Sequence, residues 1–261
     1  MSIYPKLVYT TQKGLSTNVK PGETRQVPML EEAGFFIGLD DTDTLESRGT
    51  GHLARHIAAA LARDYPLLGV TRHQLLIDPR VPYTAKNSSS AIVLASNGRV
   101  APEALMNRVQ AIVREHFNLG SDPGVCVAPR VPGAVTAFGR RTQRQLVTQD
   151  EARSLAADHA IHLAGLGGSE DGVIGALAAV GLAAGGDDGR YVMVGRSRDL
   201  NGLQSITAVL EAGIADVRTL DGRPVTAGLI LSDKLRPARR GAQPIAFVEW
   251  AEGYWRPLKL D

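Results

Sequence analysis

The 261-residue chain has little of three features that would assign it to a particular class of protein. Cys126 is its one cysteine, which excludes a disulfide within the chain and a zinc site made of several cysteines. Basic and acidic side chains nearly balance, 29 against 27, so the net charge of +2 does not demand a nucleic-acid partner, although it leaves local basic patches open. No apolar run approaches a membrane span and no signal pattern opens the sequence, so we expect a cytoplasmic protein with no membrane partner.

What the chain does contain predicts a mixed fold. Its 44% hydrophobic content can bury a sizeable core. Alternating strand and helix patterns, mixed with hairpin-like pairs of strands, are typical of an α+β protein with two layered sheet-and-helix domains. Residues 1–34 are polar and broken by glycine and proline, so we expect an extended lead-in there. Cys126 lies in the short apolar run 124–128 and is predicted to be buried in a strand.

The strongest functional signal is an apolar run that ends in acids. Residues 35–39 read as a buried strand, and three aspartates then crowd into four positions: Asp40, Asp41 and Asp43. Like charges this close raise one another's pKa unless a cation offsets them. Carboxylate oxygens suit Mg²⁺, which usually keeps open positions for phosphate. The pattern predicts a Mg²⁺ site on these aspartates, with a solvated turn as the alternative.

A helix start follows the acids. The run 48–51, Arg-Gly-Thr-Gly, is small and flexible, and apolar residues then recur at helical spacing down to Arg63. Thr50 is predicted to be the N-cap, and the free N–H groups of the first turn would bind an anion. We therefore place Gly38, Asp40, Gly49 and Gly51 in a nucleotide-binding site. The alternative is that Thr50 only caps its helix.

A polar loop is predicted between two strands at residues 83–90. Lys86 offers an ammonium group, and Asn87, Ser88 and the serines after it offer hydrogen-bond donors, which together suit a triphosphate. We expect Lys86 to be catalytic, and Asn87 and Ser88 to bind the cofactor. A solvated hairpin loop is the alternative.

Glycines at 165–172 precede another helix and predict close approach to an anion or a second backbone. We assign Gly168 to the cofactor site and note Glu170 or Asp171 as a further metal ligand. The alternative is a connector in which Asp171 caps the helix. Arg196, at the end of a predicted strand, is either a phosphate ligand or an ordinary exposed arginine.

Two further groups are interpreted as structural. His159 and His162, on a helix that a capping box opens at residue 148, have no nearby acid or cysteine to complete a metal site. Arginines 236, 239 and 240 lie in a predicted loop, where they would contact RNA phosphates or simply form a solvated patch.

Three stretches, in the same order along the chain, resemble the tRNA-Ile 2-agmatinylcytidine synthetase family, whose members spend ATP to join agmatine to a tRNA anticodon cytidine. They are Ile37-Gly38-Leu39-Asp40-Asp41-Thr42-Asp43 with Thr50, Asp78-Pro79-Arg80-Val81-Pro82-Tyr83 with residues 86–90, and the helix 172–181. The resemblance implies a kinase-like nucleotide-binding domain at residues 35–128 and a ferredoxin-like domain with C-terminal strands at 129–261.

The same resemblance implies a Mg²⁺-dependent, ATP-binding enzyme of kinase-like or ligase-like type. It would transfer a phosphoryl group to, or activate with ATP, a small-molecule or nucleotide substrate. Asp41, Thr50 and Lys86 would be catalytic, with Thr50 as a phosphoryl acceptor, and Arg196 matches a family arginine. The alternatives are a tRNA-modifying enzyme acting on a cytidine and a non-catalytic nucleotide sensor.

The chain departs from the family in two places. Lys86 and serines stand where the family carries an arginine and glycines, which keeps the positive charge but loses the fork-shaped contact with phosphate. The family also grips tRNA with an OB-type module and a cysteine zinc ribbon, and a chain with one cysteine cannot build that ribbon. We therefore expect the nucleotide chemistry to carry over more readily than the tRNA substrate.

Overall fold

The computed structural model describes residues 33–83, 86–95 and 101–260, and most of the predicted lead-in lies outside them. The helices in these ranges are α1 (Thr50–Leu61), α2 (Pro102–His116), α3 (Gly133–Thr142), α4 (Gln149–Asp158), α5 (Gly172–Gly185) and α6 (Ile206–Glu211). The strands are β1 (Ala33–Asp40), β2 (Leu67–Gln74), β3 (Ser88–Ala95), β4 (Gly124–Ala128), β5 (His162–Gly165), β6 (Arg190–Met193), β7 (Leu203–Ser205), β8 (Asp216–Thr219), β9 (Leu229–Leu231), β10 (Ala238–Arg240), β11 (Gln243–Ala251) and β12 (Tyr254–Pro257).

These strands form one sheet in the order β5-β4-β1-β3-β2-β6-β10-β11-β12-β9-β7, and β8 pairs with β11. From β5 to β6 every neighbouring pair is antiparallel. The first elements follow the order βαββαβ, the arrangement of a ferredoxin-like unit, within the segment that the resemblance assigns to the kinase-like domain. The mixed sheet-and-helix fold predicted from the sequence is confirmed, and the division after residue 128 stays a prediction.

One face of the first six strands packs against α1 and α2. Strand side chains alternate between the two faces, so Phe35, Ile37 and Leu39 of β1 all point toward this side. Leu53, Ile57 and the other apolar residues of α1 meet them there, because residues three and four apart share one face of a helix.

The other face packs against α3, α4 and α5, and α5 is buried on almost every side. This fits its sequence, which is apolar all round rather than amphipathic. Gly38 lets α5 lie directly on β1, because a methyl group there would overlap the carbonyl oxygen of Ala176. Cys126 is buried in β4 as predicted, and burial raises the pKa of its thiol.

A third apolar cluster joins β6 to the C-terminal strands and α6. Arg239 of β10 is 1% exposed, so the prediction of a solvated or RNA-contacting patch at 236–240 is wrong for this residue. Its guanidinium donates to the Ala183 carbonyl at the end of α5, at 2.7 and 3.1 Å, and to Tyr191 and Ala242. The arginine therefore ties α5 to the C-terminal part of the sheet.

Other boundaries also differ from those expected. Residues 88–90 belong to β3 instead of a loop, because β-sheet pairing with β1 and β2 extends through them. The helix opened at Thr148 ends at Asp158, so His162 lies on β5 and not on the same helix as His159. Among the helices of the described residues, none has both the length and the apolar content that crossing a bilayer requires.

Candidate functional site

The loop after β1 begins with an unusual backbone turn. Asp41 has a φ of +49°, a conformation that a short polar side chain tolerates better than most and that costs roughly 1 kcal/mol or more. Thr42 follows and is buried. Its carbonyl accepts hydrogen bonds from the backbone N and the Nδ2 of Asn118, at 3.2 and 3.0 Å. The acid-bearing loop is therefore held to the segment that leads into β4.

Asp43 fixes the start of α1. Its Oδ1 accepts from the backbone N of Thr50 at 2.9 Å and from Thr50 Oγ1 at 2.7 Å. Thr50 Oγ1 in turn accepts from the backbone N and the hydroxyl of Thr42, at 3.3 and 3.2 Å. The helix begins at Thr50 with Gly49 as N-cap, so the prediction of Thr50 as the N-cap is wrong by one residue. The oxygen that binds the first N–H of the helix comes from Asp43.

A further acidic residue, Asp122, reaches the site from the loop before β4. Its carboxylate accepts from the backbone N and the Oγ of Ser169, at 2.9 and 2.8 Å. Its carbonyl accepts from the backbone N of Gly172 at 3.1 Å. Gly168 has a φ of +59°, and a methyl group there would overlap the Asp122 carboxylate. The close approach predicted at the glycine-rich segment is made by Asp122, and a cofactor contact of Gly168 stays a prediction.

Asp171 and Glu170 take different roles beside Asp122. Asp171 stands at the N-cap position of α5, but its side chain makes no capping hydrogen bond and instead accepts from Gln149 at 2.6 Å. Glu170 forms an ion pair with Arg153 at 2.5 Å. Both side chains thus have protein partners, and a role for either as a further metal ligand stays a prediction.

Burial and neighbouring carboxylates raise the pKa of two of the aspartates. Burial raises the pKa of Asp40 to about 8, helped by the charges of Asp41 and Asp43. Burial raises the pKa of Asp41 to about 6, helped by Asp122, Asp43 and Asp171. We call these five residues the acidic cluster. The surroundings of Asp40 and Asp41 thus favour the protonated, uncharged form of each side chain.

Asp40 lies against the first turn of α5. A methyl group on Gly175 would overlap Oδ2 of Asp40, so only glycine leaves room for this carboxyl. The first backbone N–H groups of a helix lack partners within the helix and carry partial positive charge. The N-terminal ends of α1 and α5 therefore both lie beside the acidic cluster, α1 through Asp43 and α5 through Asp40.

The acidic cluster fits Mg²⁺ in charge and in donor type. Among the described residues, no three histidine, cysteine or acidic side chains are arranged so that they would hold a metal by themselves. Mg²⁺ does not need such a set, because it is commonly held by one or two carboxylates together with phosphate oxygens and water. One oxygen of Asp43 is engaged by Thr50, and a metal-binding role for Asp40, Asp41 and Asp43 stays a prediction.

The other residues predicted for the site lie in different parts of the molecule. Lys86 is exposed, and Asn87 donates its Nδ2 to the Leu76 carbonyl at 2.7 Å, which closes the turn between β2 and β3. Ser88 begins β3 opposite Gln74, at the same end of the sheet as Asp40. Arg196 is exposed, and its guanidinium donates to the Glu211 carbonyl of α6 at 3.3 Å. The structure therefore brings Ser88 to the acidic end of the sheet and directs Arg196 toward α6.

Sequence reasoning missed Asp122 because it comes more than 80 residues after Asp40. A signal was present nonetheless. Asp122 lies two residues before the short apolar run 124–128, which the sequence predicts to be a strand. Only the register, which pairs Asp40 with Gly124, shows that the two acids lie at the same end of neighbouring strands.

No family model matches the chain. Among curated proteins it is 27% identical, over 168 residues, to the tRNA 2-agmatinylcytidine synthetase TiaS of Cenarchaeum symbiosum, in a match that covers 60% of this chain and 36% of that protein. An uncharacterised protein of Methanocaldococcus jannaschii is 27% identical over 161 residues, 60% of this chain and 51% of its own length. The chain thus spans about a third to a half of the length of these relatives.

Among solved structures, a complex of TiaS with its isoleucine tRNA and ATP has a TM-score of 0.50 at 23% identity, and the match covers 56% of this chain and 36% of that chain. This likeness shows a shared fold. Together with the curated relative, it confirms the resemblance that the sequence motifs indicate.

Proposed function

We propose that this chain, similar over 60% of its length to a tRNA 2-agmatinylcytidine synthetase, is an ATP-using enzyme that acts on a nucleotide or small-molecule substrate. Its chemistry would take place where the loop after β1, the loop before β4 and the N-terminus of α5 meet. The relative's name describes a ligase that modifies tRNA, and one solved structure of that enzyme is a complex with tRNA and ATP. The transfer of these properties to our chain is the proposal.

The observation that carries the proposal is the convergence of acidic side chains beside two helix N-termini. Asp41 illustrates it, since burial and the neighbouring aspartates raise its pKa to about 6. Asp40 and Asp41 would hold Mg²⁺, with Asp122 near enough to add to its attraction. When bound, Mg²⁺ would neutralise charge on phosphate oxygens. The partial positive charge at the N-termini of α1 and α5 would favour the remaining phosphate oxygens.

Thr50 and Asp43 support a phosphoryl-transfer step. Thr50 Oγ1 already donates its proton toward Asp43 Oδ1 at 2.7 Å, so Asp43 is placed to accept that proton. In the proposed step Oγ1 bonds to the γ-phosphorus of ATP, the bond from that phosphorus to the bridging oxygen breaks, and ADP leaves with the electron pair. Lys86, exposed on its loop, would stabilise charge on the transferred group. For Arg196 and Asn87, a contact with the nucleotide stays a prediction from the sequence.

A tRNA cytidine is the second candidate substrate, and the curated relative is the observation that favours it. A salt-sensitive association with tRNA, together with tRNA-dependent ATP turnover, would support it. ATP bound without turnover, with or without tRNA, would instead indicate a nucleotide sensor.

Asp41→Asn tests the proposal most simply. The pure protein is incubated with ATP and Mg²⁺, with and without tRNA, and the nucleotide products are separated and identified. We expect wild-type protein to form ADP or AMP and the Asp41→Asn variant to lose at least ~100-fold of that rate, because the site loses a metal-binding charge. Asp158→Asn, on the exposed end of α4, is the matched control and should retain the rate. Equal turnover in both variants would overturn the assignment of the acidic cluster.

A further inference from the structure

We propose that Ser89 of β3 is a further residue of the candidate site, whose hydroxyl binds an oxygen atom of the ligand that the acidic cluster holds. That oxygen belongs either to a water molecule on a divalent cation or to a phosphate group of the nucleotide. The inference rests on the proposed function and adds a residue to it. Among the three serines that begin β3, the sequence assigns only Ser88 to the cofactor, and the reasons for Ser89 come from the structure.

The Ser89 hydroxyl is buried and unpaired. The residue is 0% exposed, and among the residues that the structure describes its Oγ has no hydrogen-bond partner. Most buried side-chain oxygens in folded proteins have a partner, and an unpaired one costs free energy because it has lost its hydrogen bonds to water. A buried hydroxyl that the protein leaves unpaired is therefore a candidate for binding a ligand.

The register of the sheet places Ser89 beside Asp40. Leu39 of β1 lies opposite Ser90 of β3, so the next residue along each strand brings Asp40 opposite Ser89. Residues paired in this way project from the same face of a sheet, with Cβ atoms roughly 5 Å apart. The face is the one that α5 covers, because Gly175 of α5 adjoins the Asp40 carboxyl. Ser89 thus lies at the acidic end of the sheet, on the side where Asp40 projects.

The other side chains next to Ser89 on this face do not satisfy its hydroxyl. His73, its partner on β2, uses both ring nitrogens elsewhere. Nδ1 hydrogen-bonds Asp188 Oδ1 at 2.7 Å, and Nε2 hydrogen-bonds Thr71 Oγ1 at 2.8 Å. The residue two positions later on β3 is an alanine, which has no polar side-chain atom. Of these three neighbours, Asp40 is the one whose polar group, an acidic-cluster carboxyl, is not committed to another partner by these bonds.

A hydroxyl beside a carboxyl suits an oxygen ligand of either kind. A serine hydroxyl donates one hydrogen bond and accepts others, so it can accept from a water molecule or donate to a phosphate oxygen. Mg²⁺ is usually held by one or two carboxylates and keeps several water molecules or phosphate oxygens as its other ligands. If Asp40 holds the cation, Ser89 would bind one of those oxygens and orient it. Ser89 is then a positioning residue that need not contact the cation itself.

Thermal unfolding of metal-free protein gives a first test, because it separates a ligand-binding hydroxyl from a structural one. Ser89→Ala removes a hydroxyl with no protein partner, so with a chelator present the variant should melt at the wild-type temperature or higher. Ser232→Ala is the matched control. Ser232 is 1% exposed, but its Oγ donates to the Gly202 carbonyl at 2.8 Å, so this variant should melt at a lower temperature. A Ser89→Ala variant destabilised as much as the control would overturn the inference, since the hydroxyl would then have a partner within the protein.

Ligand binding gives the second test, with two probes that distinguish the source of the oxygen. Mn²⁺, which prefers the same ligands as Mg²⁺, is titrated alone and its free fraction is followed by electron paramagnetic resonance. A non-hydrolysable ATP analogue is titrated calorimetrically in excess Mg²⁺. We expect Ser89→Ala to weaken at least one of these affinities about tenfold and Ser232→Ala to stay within about twofold. Weaker binding of Mn²⁺ alone identifies a metal-bound water, and a loss confined to the analogue identifies a phosphate oxygen. Unchanged affinity for both probes would overturn the inference.

Asp41→Asn, measured beside Ser89→Ala, separates the inference from the proposed function. If Asp41→Asn loses turnover and Mn²⁺ binding while Ser89→Ala binds both probes as wild type does, the inference fails and the acidic cluster stands. If Asp41→Asn keeps turnover while Ser89→Ala binds the analogue more weakly, the metal-binding role of the cluster fails and the role of the Ser89 hydroxyl is supported. Wild-type protein that binds neither probe would overturn both.

Discussion

At Asp40 the last residue of β1 places its carboxyl against α5, in surroundings that favour the protonated form. Burial raises its pKa to about 8, from an ordinary value of 3.8. The folded chain therefore retains a proton that the unfolded chain releases in mildly acidic solution. Such an arrangement reduces stability at neutral pH, which is expected where a side chain is kept for binding a cation rather than for stabilising the fold.

The sign of the pH effect follows from that pKa. The stability associated with Asp40 is complete below pH 3.8 and falls as the pH rises toward about 8, because only the folded state holds the proton in this interval. We expect Asp40→Asn to be more stable than wild type and to melt at a higher temperature. The gap between the two free energies of unfolding should widen from pH 4 to 8 and reach on the order of 2 kcal/mol. Differential scanning calorimetry with a chelator present measures the gap, and Asp158→Asn should show none. A gap that does not change with pH would contradict the assignment.

Thr50 is the second residue whose surroundings make a prediction. Thr50→Ala removes the hydroxyl that binds Asp43 and Thr42, so the free energy of unfolding should fall by about 1 kcal/mol. It should also abolish any gain of a phosphoryl group that intact-mass spectrometry detects after incubation with ATP. Thr50→Ser keeps the hydroxyl and should preserve both properties. A phosphorylated species that persists in the alanine variant would place the acceptor elsewhere.

At the scale of elements, α5 shows how small residues position the site. Gly38 and Gly175 allow the helix to lie directly on β1 and on the Asp40 carboxyl. We expect Gly38→Ala to lower the free energy of unfolding by about 3 kcal/mol or more, because a methyl group would overlap the backbone of α5. Gly133→Ala, where an added methyl group meets nothing within 4 Å, should change it by less than about 0.5 kcal/mol. Urea unfolding followed by circular dichroism measures both, and equal effects would argue against this packing.

Elements with strong local signals were predictable. Proline suits the first turn of a helix, so Pro102 and the apolar stripe after it mark α2 in the sequence, and the apolar run 124–128 matches β4. The serines at 88–90 read as a loop because their polarity hides the pairing that makes them part of β3. The helix α3 has a short sequence with several arginines and was not anticipated. Where tertiary pairing decides the structure, the local pattern is insufficient.

The candidate site was likewise predictable from local sequence only in part. The acids at the end of β1 and the helix start at Thr50 follow one another in sequence, and their proximity could be predicted. Asp122 comes from a distant segment, and only the strand register places it at the same end of the sheet as Asp40. Arg196, expected at the site, donates its guanidinium to the Glu211 carbonyl of α6, and the local sequence does not reveal this direction.

At the scale of the whole molecule, Arg239 joins the part of the sheet that carries the acids to the C-terminal strands. Its guanidinium is buried and donates to carbonyl groups of Ala183 and Ala242. Arg239→Gln would leave these acceptors without their donors, and we expect a loss of roughly 3 kcal/mol in the free energy of unfolding. Urea unfolding monitored by circular dichroism and by tryptophan fluorescence should shift together. Arg223→Gln should leave the transition unchanged, and an equally small shift for Arg239→Gln would refute the role given to Arg239.

The central claim is that the acidic cluster binds a metal-bridged polyphosphate between β1, β4 and α5. The most direct measurement is the affinity for a non-hydrolysable ATP analogue, determined calorimetrically at neutral pH with and without Mg²⁺, for wild type and for Asp41→Asn. Our account predicts that Mg²⁺ strengthens binding to wild type at least tenfold and has little effect on the variant. Equal affinity in both proteins, whether or not Mg²⁺ is present, would contradict it.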